Sequence, residues 1–231
     1  MPAREFGHDL DAMARAVRGD TSVVFVATRN NPTGTWLARD AMHAFLRRVP
    51  ADVLLVLDEA YYEYLDPRLL GNNLEWLEQF PNLVISRTFS KAYGLAGLRV
   101  GFAVAHPQVA DLMNRVRQPF NVSSIAQSAA VAALADQDFV HRSRALNSQG
   151  MKVLTNGFKR LGLSWIPSYA NFVSFKVQKA AEVFQRLLRQ GVIVRPIAGY
   201  GMPEYLRVTV GTEPENARFL AALEAVLTDL R

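Results

Sequence analysis

Apolar residues in the first half of the chain fall into short continuous runs, separated by stretches with helical spacing. Residues 21–28 are apolar and β-branched, 53–57 are wholly apolar and run into Asp58-Glu59, 83–86 lead into a polar turn, and 100–105 follow it. Between the first two runs, Trp36, Leu37, Met42, Phe45, Leu46 and Val49 recur at intervals that predict a helix over 36–49. Continuous apolar strands interleaved with helices predict an α/β architecture: a mostly parallel sheet with helices on both faces. Beyond Pro107 the spacing turns helical over 107–117, 123–134 and 139–161, with Gly150 and Gly157 weakening the last of these. A strand over 170–177, a helix over 180–190 closed by Gly191, short strands over 192–195 and 205–210, and a final helix over 214–230 then predict a smaller α+β domain. The division is expected near residue 135, giving a large domain over 1–135 and a small C-terminal one over 136–231.

Composition narrows the chemistry. The chain of 231 residues has no cysteine, which excludes disulfides and thiolate metal sites. Its four histidines, His8, His43, His106 and His141, show no ligand spacing, so no metal is expected. The apolar runs are far shorter than the roughly 20 residues of a membrane span. The first residues mix acids with bases and have no apolar core of signal-peptide type, so a cytoplasmic location is expected. The net charge of +5 comes largely from arginines scattered along the chain instead of gathered in a stripe. That dispersal argues against nucleic acid as a partner and for small anionic molecules.

Three expected parallel strands deliver their polar residues to one sheet edge, where α/β folds bind ligands. After the first come Asn30-Asn31-Pro32-Thr33-Gly34, after the second Asp58-Glu59-Ala60-Tyr61, and after the third Thr88-Phe89-Ser90-Lys91. A lysine amine there can condense with an aldehyde. Thr88, Ser90 and Arg99 are groups of the kind that grip a phosphate. An aldehyde and a phosphate on one small molecule describe pyridoxal 5'-phosphate, whose chemistry needs a lysine and a partner for its ring nitrogen. Asp58, ending a buried-looking strand, is the carboxylate expected to pair with that nitrogen. The competing reading of its strand, a nucleotide hydrolase, would need a GxxxxGK[ST] loop that the chain lacks. Each residue also has a plain alternative: a solvated lysine, an aromatic packed beneath a loop, an Asn-Pro turn.

The run from Thr88 to Gly97, with Arg99 beyond it, resembles the lysine signature of the class II pyridoxal-phosphate aminotransferases of fold type I. The order Asn31-Pro32-Thr33-Gly34, Asp58, Tyr61, Ser90-Lys91, Arg99 is similar to the family pattern at every point. The resemblance implies that Lys91 holds the cofactor and works as base and acid, and that Asp58 pairs with the pyridine nitrogen. It implies further that Tyr61 and Asn31 reach the phenolic oxygen, and that Thr88, Ser90 and Arg99 take the phosphate. The domain over 1–135 becomes the cofactor-binding one. Arg207, in Leu206-Arg207-Val208-Thr209-Val210-Gly211, resembles the family's substrate-anion residue, with Arg195 as a second anion contact and Asn171 as a further substrate-side residue; a solvated strand arginine is the alternative for Arg207. Within the family, Gly7-His8-Asp9-Leu10-Asp11, Asp58-Glu59-Ala60-Tyr61-Tyr62-Glu63-Tyr64 and the segment around Arg207 resemble the histidinol-phosphate branch most. That branch exchanges amino groups between histidinol phosphate and 2-oxoglutarate in histidine biosynthesis.

The resemblance runs over essentially the whole chain but over only the later two-thirds of a typical member. A partial fold-type-I aminotransferase is therefore expected, N-terminally truncated, poorly soluble or weak in binding cofactor, with unpaired apolar strand edges; the full-length form is expected to be a homodimer. Other readings stay open: an aromatic amino-acid aminotransferase, a related fold-type-I lyase or decarboxylase, or an inert remnant serving as a binding module.

Overall fold

The computed structural model describes residues 3–69 and 71–230. The chain divides into two compact units, Met1–Arg29 with Trp36–His141, and Asn30–Thr35 with Arg142–Arg231.

In the first unit, β1 (Ala3–Arg4) and β2 (Gly7–His8) form a small antiparallel pair. Helix α1 (Leu10–Ala16) starts at Asp9, whose carboxylate accepts the Ala12 N–H at 3.0 Å and so satisfies an orphan donor of the first turn. The sheet is formed by β3 (Val23–Ala27), β4 (Leu54–Asp58), β5 (Leu83–Thr88) and β6 (Gly101–Ala105), in that spatial order. The first two pairings are parallel and the third is antiparallel. Alternate residues point to opposite faces. Val26, Leu55, Leu57, Leu83 and Ile85 bury one face against Met42, Phe45 and Leu46 of α2 (Arg39–Leu46) and against Trp76. On β3, Phe25 points the other way from Val26 and is 69% exposed. Helix α2 begins later than the spacing predicts, because Trp36 is held in a β-bridge with Arg29 that closes the intervening turn. Helices α3 (Pro107–Val116) and α4 (Ser124–Ala135) complete the unit. Ala126 and Ala130 of α4 pack with Phe89 and Val100, which flank the lysine loop.

Most of the long α5 (Gln137–Arg160) belongs to the second unit. That unit's sheet, in the order β7 (Phe172–Lys176), β9 (Tyr205–Thr209), β8 (Arg195–Pro196), is antiparallel throughout. It packs on α5, α6 (Ala180–Arg189) and α7 (Glu213–Asp229) around Leu154, Phe158, Phe175, Leu187, Leu206 and Phe219. The Phe158 and Phe175 rings stack at 4.7 Å. The two glycines that weakened the helical reading of α5 are contact points. A Cβ on Gly150 would lie 2.5 Å from Val210 Cγ1, and one on Gly157 would lie 2.4 Å from Leu220 Cδ2. The short strand expected over 192–195 pairs only at Arg195–Pro196. Val192 instead donates its N–H back to Leu187 C=O at 2.9 Å, as the chain turns out of α6, and it is buried with Val194 in the core.

Candidate active site

Parallel pairing brings the carboxyl ends of β3, β4 and β5 to one edge of the first unit's sheet, and the main chain locks them there. The Thr28 N–H donates to Asp58 C=O at 3.1 Å, and the Glu59 N–H donates to Ser86 C=O at 2.9 Å. Asp58 is the last residue of β4, exposed, in register with Ala27 on one side and Ser86 on the other. It therefore shares its face with Ser86 and Thr88. Its Oδ1 accepts the Ala60 N–H at 3.0 Å, which fixes the carboxylate against the turn that follows.

That turn carries Tyr61, a buried residue whose ring centroid lies 5.4 Å from Lys91 Nζ. Lys91 sits in a loop closed by the Phe89 N–H donating to Val100 C=O at 3.2 Å. Phe89, Ala92 and Val100 are buried and anchor the loop, leaving Ser90 and Lys91 half-buried and Arg99 exposed. Thr88 Oγ1 accepts the Ser90 N–H at 3.1 Å and turns the chain after β5. Arg99 Nη1 donates to Ser90 Oγ at 3.4 Å and to Ala96 C=O at 2.9 Å. Asp58, Tyr61, Thr88, Ser90, Lys91 and Arg99 thus form one set. Lys91 is the only lysine of the first unit.

The other sequence-predicted residues belong to the second unit. The turn at Asn31 joins it through long-range bonds: Ser174 Oγ donates to Pro32 C=O at 2.6 Å, and the Tyr169 N–H donates to Gly34 C=O at 2.9 Å. Asn31 Oδ1 accepts a hydrogen bond from Arg207 Nη1. Arg207 lies in register with Arg195 across the β8–β9 pair, and its guanidinium is 4.7 Å from the Phe172 ring centroid. Asn171, just before β7, accepts the Val210 N–H on its C=O at 2.8 Å, which extends the β7–β9 ladder.

Sequence reasoning missed a buried cluster around Tyr62 in the first unit. Glu59 is 0% exposed, and its Oε2 accepts from Arg87 Nε at 3.0 Å and Nη2 at 2.8 Å, while Oε1 accepts from Asn73 Nδ2 at 2.6 Å. The Arg87 guanidinium lies 3.7 Å from the Tyr62 ring centroid and that of Arg29 lies 5.5 Å from it. Tyr62 also donates its hydroxyl to Gly71 C=O at 3.2 Å. Burial pushes Arg29 below the usual arginine range and Glu63 above the usual carboxylate range, each because water no longer stabilises its charge. A charged residue between Ser86 and Thr88, in a strand with one covered face, was the available signal.

The aminotransferase class I and II family model matches residues 1–223. A histidinol-phosphate aminotransferase of Methylobacillus flagellatus is 64% identical over 227 residues, covering 98% of this chain and 61% of that protein. One from Nitrosococcus oceani is 56% identical, covering 100% of this chain and 63% of its own length. The chain therefore spans about three fifths of these relatives. A crystal structure of histidinol-phosphate aminotransferase from Sinorhizobium meliloti in complex with pyridoxal-5'-phosphate matches with a TM-score of 0.92 at 33% identity, over 100% of this chain and 64% of the other.

Proposed function

Since the chain belongs to the class I and II aminotransferases, we propose that it carries the cofactor- and substrate-anion-binding residues of a histidinol-phosphate aminotransferase. The observation that carries this reading is the Lys91 ammonium beside the Tyr61 ring, with the Arg99–Ser90 pair next to it and Asp58 ending the neighbouring strand.

The donor set fits pyridoxal phosphate. An amine for its aldehyde, a strand-end carboxylate for its pyridinium, and a guanidinium with two hydroxyls for its phosphate occur together in the first unit. Asp58 would keep the pyridine nitrogen protonated, and the hydroxyl of Tyr61 would hydrogen-bond the phenolic oxygen, a role the family resemblance gives Asn31 as well. Arg99 would hold the phosphate, its planar fork able to reach two oxygens where a lysine would not do as well, and Thr88 and Ser90 would add hydroxyl donors. When bound, the cofactor supplies the electron sink for the pair left behind by a departing α-proton. Lys91 Nζ would take that proton from the donor's α-carbon and deliver it to the carbon that was the cofactor's aldehyde, and would run the same transfer in reverse in the second half-reaction. Arg207 receives the substrate's anionic group, with Arg195 and Asn171 beside it. Two arginines in register on β8 and β9 suit a phosphate-bearing substrate.

In this reading the segment up to about residue 135 is the cofactor domain and the remainder the small domain. The full-length form works as a cytoplasmic homodimer, a state that sedimentation would test. The decisive assay supplies the full-length form, loaded with pyridoxal phosphate, with glutamate and imidazole-acetol phosphate. Equal amounts of 2-oxoglutarate and histidinol phosphate are expected. Transfer only to aromatic 2-oxo acids would redirect the assignment, and no transfer to any acceptor would reject it.

A further inference from the structure

Behind the strand ends that carry Asp58 and Lys91 lies the buried charge cluster, which the proposed chemistry does not use. Arg87 stands between Ser86 and Thr88 on β5, so it projects from the face opposite to theirs. Glu59 follows Asp58 directly and donates the last main-chain bond between β4 and β5. The Glu59 carboxylate then ties the same two strand ends a second time, through both Arg87 N–H groups. Asn73 holds its other oxygen.

Arg87 also rests on the ring of Tyr62 at 3.7 Å, and the Tyr62 N–H donates to Glu59 C=O at 2.9 Å. Tyr62 is the sequence neighbour of Tyr61, the residue against Lys91 Nζ. One arm of the cluster therefore leads to Asp58 through the chain, and the other leads to Lys91 through Tyr62 and Tyr61.

A buried ion pair is a costly way to gain stability, since well-packed apolar residues of similar size usually serve as well or better. Its distinctive contribution is direction: two hydrogen bonds of fixed geometry within the pair, and a third from Asn73, that an apolar pair cannot supply. We propose that Glu59 and Arg87 are positioning residues, which by cross-tying the carboxyl ends of β4 and β5 hold Asp58 and Lys91 in the geometry that lets Lys91 capture an aldehyde. The proposal rests on the reading of Lys91 as the cofactor lysine.

The test compares the wild-type chain with Glu59→Gln and with the double replacement Glu59→Leu/Arg87→Met. Three quantities are measured in each: the affinity for pyridoxal phosphate trapped on Lys91 by borohydride, the pH midpoint of the bound cofactor's absorbance change, and amide hydrogen exchange over residues 86–91. Glu59→Gln is expected to weaken trapping roughly ten- to a hundredfold, as small misplacements of reacting groups do, to move the midpoint, and to speed exchange. The double variant is expected to melt at or above the wild-type temperature yet keep the trapping defect and the shifted midpoint. Wild-type affinity and midpoint in a folded double variant would overturn the proposal, because the pair would then serve stability alone. Unfolding of both variants would overturn it too, as would unchanged exchange in Glu59→Gln. A wild-type chain that is never labelled would bring down the underlying reading as well, and so is distinguishable from a labelled wild type with indifferent variants.

Discussion

Arg99 occupies left-handed backbone space, with φ at 52°, where a side chain is disfavoured and glycine is not. Strain of about 1–3 kcal/mol held at one residue is worth asking a function of, and a guanidinium fixed beside Ser90 supplies one. Arg99→Gly is therefore expected to leave the melting temperature unchanged or slightly raised. The same change is expected to weaken pyridoxal phosphate binding by about tenfold or more, the loss of one charge-assisted contact. Equal affinity in a titration of the variant would remove Arg99 from the phosphate site. That Asp58, Tyr61 and Lys91 lie at one sheet edge could be expected from the sequence because each follows an apolar run, whereas Arg99 precedes the run over 100–105 and stood out only as a cationic group near Lys91. The Glu59–Arg87 pair could not be expected. Its partners are 28 residues apart, and only the strand register, which local patterns do not encode, brings them together.

At the scale of elements, periodicity located most of the helices and strands, and its failures have local causes. The helix expected from residue 36 starts at Arg39 because Trp36 is taken up by the bridge to Arg29. The strand expected over 192–195 yields to the reversal that ends α6, which spends the N–H groups of Gly191 and Val192 on Leu188 and Leu187. In α5, glycine reads as a helix breaker but serves as a contact. Alanine at position 150 gains about 1 kcal/mol in intrinsic helix propensity. Its Cβ, however, would meet Val210 Cγ1 at 2.5 Å and Asn216 Nδ2 at 2.8 Å. Gly150→Ala is expected to destabilise the second unit by about 1–3 kcal/mol, the usual cost of overpacking, seen as a lower urea midpoint. A stabilised variant would mean that α5 and its neighbours have room to part.

At the scale of the whole molecule, the alternation of strands and helices followed by a smaller α+β unit could be read from the chain, but its antiparallel pairing and the path between units could not. Residues 30–35 join the second unit through bonds to Tyr169 and Ser174, whereas local pattern shows only a turn after a strand. Stability should also depend on pH through His8. Burial holds its pKa below the ordinary 6.5, partly offset by a hydrogen bond with the Ala27 backbone. Between that lower value and 6.5 the unfolded chain binds more protons than the folded one, so stability rises with pH across this window. It is lost as pH falls from 6.5 through the folded value. Glu63, raised by burial, acts in the opposite sense just above the ordinary carboxylate value. The informative quantity is therefore the difference between wild type and His8→Asn, in urea midpoints measured from about pH 5 to about pH 7. The variant's profile should be flatter below 6.5; parallel profiles would place His8 in a solvated setting.

The account stands on the chemistry of one amine. The chain has five lysines, Lys91, Lys152, Lys159, Lys176 and Lys179; the first has its Nζ 5.4 Å from the Tyr61 ring centroid and follows Ser90, to which Arg99 donates, while Asp58 ends the neighbouring strand. Incubation with pyridoxal phosphate, reduction with borohydride and peptide mapping by mass spectrometry should find a single pyridoxyl group, on Lys91, and none in Lys91→Ala. Labelling spread over the other four lysines, or a wild-type chain left unlabelled, would contradict it.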